Sequence, residues 1–355
     1  MKFAKLGLIL LTVTIFSINV VYAQFDYGNL TGKRDHKERK SNFPGRSSFG
    51  LGLGTSTYYG DLNPISRPFQ GLASSNIRWN VSAHYQRYFK PKVSFRVGLT
   101  FARLFADDVL FEGVSGFEEN FIRNLHFRND VKELSLVGVY EFVPLPKNNQ
   151  KRAAFRPYIF GGLAVFSHSP KAKGVDSVGT QSKWIDLQPL ATEGQGQPGY
   201  APKVYSSINL AIPVGIGAKI KINNEFDFGI ELGMRYTFSD YLDDVSGNYA
   251  DISSLLSTNQ SGLSVAMANR SNEKYAAYSG KDRSLAVEDY LIKKGLPTAS
   301  PTDLQNAQSY ELGYPFGIQG ISDSASSRGK TKGNDMYLLT TFSLIYHLPA
   351  KIKCP

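Results

Sequence analysis

Residues 206–244 read SSINLAIPVGIGAKIKINNEFDFGIELGMRYTFSDYLDD, and almost every second side chain is apolar. The set Ile208, Leu210, Ile212, Val214, Ile216, Ala218, Ile220 and Ile222 alternates with Asn209, Ala211, Pro213, Gly215, Gly217, Lys219 and Lys221. Beyond Asn223-Asn224-Glu225, the set Phe226, Phe228, Ile230, Leu232, Met234, Tyr236 and Phe238 alternates with Asp227, Gly229, Glu231, Gly233, Arg235, Thr237 and Ser239. A period of two belongs to extended chain, whose successive side chains point to opposite faces. Strands of soluble proteins usually run only about 5–6 residues. These are far longer, and one face is almost purely aliphatic and aromatic, as lipid requires. A spanning strand needs roughly 9–11 tilted residues and must belong to a closed sheet, because an open edge in hydrocarbon leaves backbone groups unpaired. The hairpin therefore predicts two staves of an outer-membrane β-barrel. Pro213 cannot donate to a ladder and predicts a bulge.

The same period sets the rest of the chain in register. Ser48–Tyr59 alternates Phe49, Leu51 and Leu53 with Gly50, Gly52 and Gly54; Ile77–Phe89, Val93–Arg103, Val131–Val143, Arg156–Ser167 and Asp335–Leu348 supply further staves. With the hairpin this makes an all-β, eight-stranded antiparallel barrel, a size whose interior fills with side chains. The connections alternate in length. Lys90–Lys92, Pro144–Ala154 and Asn223–Glu225 are short, whereas Pro170–Tyr205 and Tyr241–Asn334 are long. Barrels of this class put short turns in the periplasm and long loops outside, so both termini are expected in the periplasm.

The N-terminal segment agrees with export. Lys2 and Lys5 precede the apolar run Leu6–Val21 and small Ala23, the pattern of a secretory signal peptide over residues 1–23. Residues 24–46 follow as a basic, unpacked periplasmic extension that includes Arg39 and Lys40, residues 47–349 form the barrel, and 350–355 a short tail. The one cysteine, Cys354, excludes an internal disulfide. Glycine (33), tyrosine (20) and phenylalanine (23) are plentiful, which suits a lumen lined by small residues and interfacial aromatic girdles. The formal charge of +10 becomes +8 without Lys2 and Lys5 and lies mainly in turns and tails, so no nucleic-acid partner is read from it.

Three groups of residues are candidates for a site. Arg96, Glu133, Glu141, Lys219, Glu231 and Arg235 fall on the lumen face, where charges must pair because an unpaired buried charge is costly; a structural plug of ion pairs is preferred to a pore or proton path. Asp240, Asp243 and Asp244 crowd the loop rim after the second strand of the hairpin. Three carboxylates so close could hold calcium, although no glycine-turned twelve-residue loop accompanies them, and loop-capping hydrogen bonds are the plainer reading. Arg39, Lys40, Lys151 and Arg152 give the periplasmic face a basic surface that could meet a partner. His84, His126, His168 and His347 accompany no Gly-x-Ser-x-Gly, His-Glu-x-x-His or phosphate-cradling loop. Neither catalysis nor a cofactor is expected.

Tyr58-Tyr59-Gly60-Asp61-Leu62, Arg123-Asn124-Leu125-His126-Phe127, Pro157-Tyr158, Thr192-Glu193-Gly194-Gln195-Gly196 and Ser239-Asp240-Tyr241-Leu242-Asp243-Asp244-Val245-Ser246, in this order and spacing, resemble the PorG-like outer-membrane barrel family of Bacteroidetes type IX secretion and gliding motility systems. The resemblance spans most of residues 47–348 and does not extend to the insertion 252–330. It implies a non-enzymatic part that ties the machine's periplasmic ring, a lipoprotein and its partner, to the outer membrane. A stand-alone small barrel with a structural or ligand-binding role is the alternative.

Overall fold

A computed structural model describes residues 45–64, 76–146, 151–175, 181–258, 261–271, 273–293, 327–329 and 333–349. The signal peptide, residues 24–44 of the basic extension with Arg39 and Lys40, and the C-terminal tail lie outside the described residues, whereas Arg46, read as the end of that extension, opens the first strand and is buried.

Among the described residues, ten strands form one antiparallel sheet: β1 (Arg46–Tyr59), β2 (Arg78–Tyr88), β3 (Val93–Asp107), β4 (His126–Glu141), β5 (Phe155–Ser167), β6 (Pro170–Val175), β7 (Gln181–Asp186), β8 (Ile208–Lys221), β9 (Phe226–Thr237) and β10 (Met336–His347). Eight of them close into a barrel in the order β1-β2-β3-β4-β5-β8-β9-β10, with β10 returning to β1 from Ser48↔His347 to Tyr59↔Met336. Closure gives every spanning strand a partner on both sides, as hydrocarbon demands. The outward set is bare: Leu51 is 70% exposed, Leu163 65% and Ile216 59%. Side chains so apolar and so exposed along a closed sheet make this an outer-membrane β-barrel.

The inward face carries most of the strand glycines, Gly138 and Gly161 lying on the outward one, and close packing explains inward positions such as Gly50 and Gly54. A Cβ on Gly54 would lie 1.8 Å from the Thr340 carbonyl oxygen, and one on Gly50 would lie 2.2 Å from the His84 ring. The barrel wall is therefore drawn in where its own side chains fill the lumen.

Several sequence expectations are corrected. Pro213 makes no bulge, because its register to β9 runs unbroken through Pro213↔Arg235; the ladder to β5 lapses between Gly161↔Val214 and Ala164↔Ala211 with no residue inserted. Strands β3 and β4 outrun their lipid-facing stretches, pairing as far as Asp107↔His126. The connection 170–205 contains the β6–β7 hairpin, held to β4 through Arg128↔Lys171 and Asn129↔Pro170. Among its described residues, the long loop from Tyr241 carries three helices, α2 (Ile252–Leu256), α3 (Ser261–Ala268) and α4 (Ser284–Lys293). A further helix, α1 (Glu118–Arg123), follows β3 and packs Phe121 and Ile122 against Val287, Tyr290 and Leu291 of α4.

An arginine at the outward position Ile216, in mid-strand, should lower the free energy of folding into lipid vesicles by about 2–4 kcal/mol, read from urea titrations followed by heat-modifiable gel mobility. Leu232→Phe, which keeps the outer face apolar, should cost less than about 1.5 kcal/mol; equal losses would reverse the assignment of faces.

Candidate functional site

The barrel presents three candidate regions along its axis: a charged plug at the short-turn end, a polar mid-section, and a folded cap at the long-loop end. The plug forms because the period of two brings inward residues from six strands to one level. Lys219, fully buried, donates to Glu141 Oε1 at 2.8 Å, Gln86 Oε1 at 2.9 Å and the Tyr88 hydroxyl at 2.7 Å, and that hydroxyl donates to Glu141 Oε1 at 2.7 Å. Arg156 reaches Glu141 Oε2 at 2.8 Å with one nitrogen and Asp227 Oδ2 with the other. His347 Nε2 lies 2.6 Å from the same Asp227 oxygen. Arg152 completes the plug, donating to Asp227 Oδ1 at 2.8 Å and to the carbonyls of Asn224 and Asn223 at 2.7 and 3.0 Å.

Arg152 is thereby removed from the candidate partner contacts. Its guanidinium is buried inside the end of the barrel, because Asp227 and the open β8–β9 turn offer it acceptors that water would otherwise supply. Lys151 beside it is exposed.

Above the plug, Arg96 pairs with Glu231 at 2.6 Å, Tyr158 donates to the same carboxylate at 2.9 Å, and Arg235 faces Glu133 at 3.3 Å with the Tyr337 hydroxyl 2.6 Å away. All six lumen charges read from the sequence are thus drawn into contacts with one another. Between the two pairs lies a polar cavity of about 40 Å³, lined by Arg96, Glu231, Arg235, His84 and nearby serine hydroxyls. That is room for a few waters, since one needs roughly 10–15 Å³, and not for a channel. Arg156, Asp227, His347 and the three tyrosines are the residues that the sequence reading left out. Position 227 had already been placed on the inward face, and Arg156 opens a strand, so the same alternation could have found both.

The cap is built differently. Leu62, Leu125, Leu242 and Val245 from three loops descend onto Tyr58, Phe127, Phe166 and Tyr337 of the strands, closing the mouth with apolar packing. Buried arginines then tie the loops together through backbone carbonyls, supplying donors that offset the cost of burying those groups. Arg123 grips Asp108 with two nitrogens, each at 2.8 Å, and reaches the carbonyls of Arg328 at 2.7 Å and Asp61 at 3.0 Å. Arg328 donates to the Ala268 carbonyl at 3.0 Å and to Glu193 at 3.2 Å, and its backbone N–H donates to Gly247 O at 2.9 Å. Arg270 reaches the Lys173 carbonyl of the β6–β7 hairpin at 2.7 Å. Asn124, in the left-handed region at φ 61° after α1, bonds the Arg270 and Tyr275 carbonyls and the Ala277 N–H.

The three rim aspartates do not converge on a common point, which corrects the calcium reading. Asp240 accepts from Ser246, Asp243 from Tyr58 and the N–H groups of Leu62 and Val245, and Asp244 from Thr192, Tyr205 and Arg328. Each carboxylate is turned toward donors of its own. Among the described residues, no group of three or more His, Cys, Asp or Glu side chains is placed to hold a metal ion. Of the histidines, His84 faces the mid-barrel cavity, His126 accepts from the Lys173 N–H, His168 lies against Asn129 and Tyr205, and His347 is in the plug.

One proton is held at the base of the cap. The Tyr58 hydroxyl lies 2.6 Å from Asp243 Oδ2 and 2.7 Å from Asp335 Oδ1. A hydroxyl has one hydrogen to give, so one of the two carboxyls must be protonated and donate to the tyrosine oxygen. Burial, and then a neighbouring carboxylate (Asp61 for Asp243, Asp243 for Asp335), pushes both aspartates well above the ordinary value. Burial also raises Asp240 to about 7, and Asp244 to about 6 against the pull of Arg328.

Two predictions follow from plug and cap. Glu141→Gln leaves Lys219 and Arg156 short of a carboxylate and should cost about 3–5 kcal/mol in urea unfolding. The double variant with Lys219→Met should recover part of that loss, and failure to recover any would mean that the two side chains do not act as a pair. For the cap, acids raised on folding stabilise it fully below the ordinary carboxylate value of 3.8 and lose that contribution as pH rises through about 6–7. Hydrogen exchange at 242–245, corrected for intrinsic pH dependence, should therefore be slower at pH 5 than at pH 8. Asp335→Asn, which cannot ionise, should narrow the difference.

Among solved structures, the chain is similar to Neisserial surface protein A (TM-score 0.34, 8% identity, covering 84% of this chain and 96% of that one). It is also similar to a major outer membrane protein from Thermus thermophilus (0.34, 12%, 85% and 99%) and to the outer membrane protein OprG from Pseudomonas aeruginosa (0.29, 8%, 86% and 95%). No curated protein sequence matches it. The profile of a domain of unknown function (DUF6089) matches residues 45–182 and 197–262, more than half of the chain and most of the strands and cap loops described above, and the chain belongs to that family.

Proposed function

We propose that this barrel is a non-enzymatic outer-membrane component of the type IX protein secretion machinery, holding the periplasmic ring of a lipoprotein and its partner at the membrane. The observation that carries the reading is that four of the five stretches resembling the PorG-like family meet in one structure. Tyr58 and Leu62, Arg123 and Leu125, Thr192 and Glu193, and Leu242 to Val245 all belong to the cap, joined directly or through Arg328. The lumen supports the same reading by exclusion of transport: ion pairs fill one end and apolar loop residues the other, so the work of such a barrel falls to its two ends.

In this reading the short turns face the periplasm and meet the ring. Among the described residues, the exposed cations there are Arg87, Lys90 and Lys151, with Lys92 and Lys221 partly exposed. Such charge acts over about 10 Å at 0.1 M salt, enough to orient a partner while other contacts supply most of the affinity. The alternative, a stand-alone structural or ligand-binding barrel, shares the fold and differs in having no ring partner.

Affinity purification of the full chain in mild detergent should bring down ring proteins. Reversing Lys90, Lys92 and Lys151 to glutamate should weaken that co-purification with gel mobility of the folded barrel unchanged, and the gap from wild type should narrow at high salt. Arg152 is left intact because its loss would open the plug. A strain lacking the protein should retain cargo in the periplasm; normal arrival of cargo at the surface would leave the stand-alone barrel as the better reading.

A further inference from the structure

The lipid-facing wall is not equally tall all round. On β8 and β9 the outward apolar run extends from Ile208 to Ile222 and from Phe226 to Phe238, whereas on β3 and β4 it stops at Phe101 and Leu134. At about 3.4 Å per residue and a tilt of about 45°, the short side is lower by roughly 10 Å. Where the tall side still presents Leu210, Ile208, Tyr236 and Phe238, the short side presents Arg103, Lys132, Asp130 and Arg128. The β6–β7 hairpin continues this charged face, since Lys171 pairs in register with Arg128 and lies opposite Asp186.

The chain's two tryptophans flank the patch, each beneath a guanidinium. Arg103 lies 5.4 Å from the ring centre of Trp79, and Arg128 lies 4.1 Å from that of Trp184. The charges do not cancel. Asp130 takes Arg103 at 2.6 Å with Arg128 4.0 Å away, Asp186 takes Lys171 at 2.9 Å, and exposed Lys132 belongs to neither group. Four cations thus face two carboxylates directly above bare Phe101 and Leu134.

We propose that this wall of β2–β4 and the β6–β7 hairpin binds the headgroup phosphates of a phosphorylated outer-leaflet lipid of the lipid A type. Cations cannot be left in hydrocarbon without large cost, so the headgroup plane must dip beside the short wall, and that dip brings phosphates to Arg103, Arg128, Lys132 and Lys171. Arginine and lysine suit phosphate oxygens as donors, and tryptophan suits the boundary where one side is apolar and the other wet. A soluble acidic protein fits less well, because the patch is continuous with a surface that must be covered by acyl chains. The proposal goes beyond the export reading and takes from it only the outward direction of the cap.

The test is native mass spectrometry of the full-length protein in detergent with lipid A, the same lipid dephosphorylated, and phosphatidylglycerol. Wild type should retain lipid A at least tenfold better than the dephosphorylated form, and Lys132→Gln with Lys171→Gln should lower retention about tenfold while heat-modifiable mobility persists. Equal retention of the dephosphorylated lipid, or undiminished retention by the folded variant, would overturn the site. Phosphatidylglycerol held as tightly as lipid A, or inorganic pyrophosphate bound as tightly as either, would overturn the assignment to this lipid. Should the double variant not fold, the comparison of the two lipid A forms on the wild-type chain decides alone. None of these outcomes bears on ring co-purification, so the two readings fail separately.

Discussion

Glu141 and Asp227 at the short-turn end hold Lys219, Arg156, Arg152 and His347 in a single buried network, and the rest of the barrel can be understood from it. A barrel of eight strands has an interior narrow enough to be filled by its own side chains. Its wall faces lipid, so an inward charge must be neutralised from within the lumen, by another strand's inward charge or by a turn residue such as Arg152 folded into the barrel end. The pairing Lys219 to Glu141 joins β8 to β4, Arg156 to Asp227 joins β5 to β9, and His347 brings in β10. Breaking any of these would strand a charge at a cost comparable with a large part of a domain's stability. The plug therefore ties six strands together at one level and fills that end of the lumen.

At the opposite end the same problem is solved without a lattice of strands. The described residues of the loops after β3, β7 and β9 carry backbone carbonyls into a buried interior, and Arg123, Arg270 and Arg328 supply donors to them. An arginine presents five donors in a fixed fork, which lets one side chain satisfy carbonyls from separate loops at once. That makes the cap a folded object whose geometry is specified, and it concentrates the family-resembling stretches in one place. A barrel closed at one end by ion pairs and at the other by a cap offers surfaces, not a passage.

The contrast between the two ends explains what could be read in advance. Strand number, facing and closure follow from a period of two that the backbone imposes locally, so Leu232 and Gly233 declare their opposite faces from sequence alone. The same period places Arg96, Glu133, Glu141, Lys219, Glu231 and Arg235 inside, because inwardness is a property of each strand by itself. Arg152 shows where this stops. It lies in a turn, where no period operates, and its basic character read as exposed until Asp227 of another hairpin was found to hold it.

The sequence by itself determined the eight spanning strands, their inward and outward faces, and the need for the lumen charges to pair, because alternation and desolvation act residue by residue. Only the tertiary structure decided which charge meets which, that Asp240, Asp243 and Asp244 turn to separate donors, and that the loops fold into a cap bound by Arg123, Arg270 and Arg328. Those outcomes depend on contacts such as Tyr58 with Asp335 and Arg123 with the Arg328 carbonyl. Their partners are far apart along the chain, and no local pattern records them; closing the barrel is what brings them within a hydrogen bond's reach.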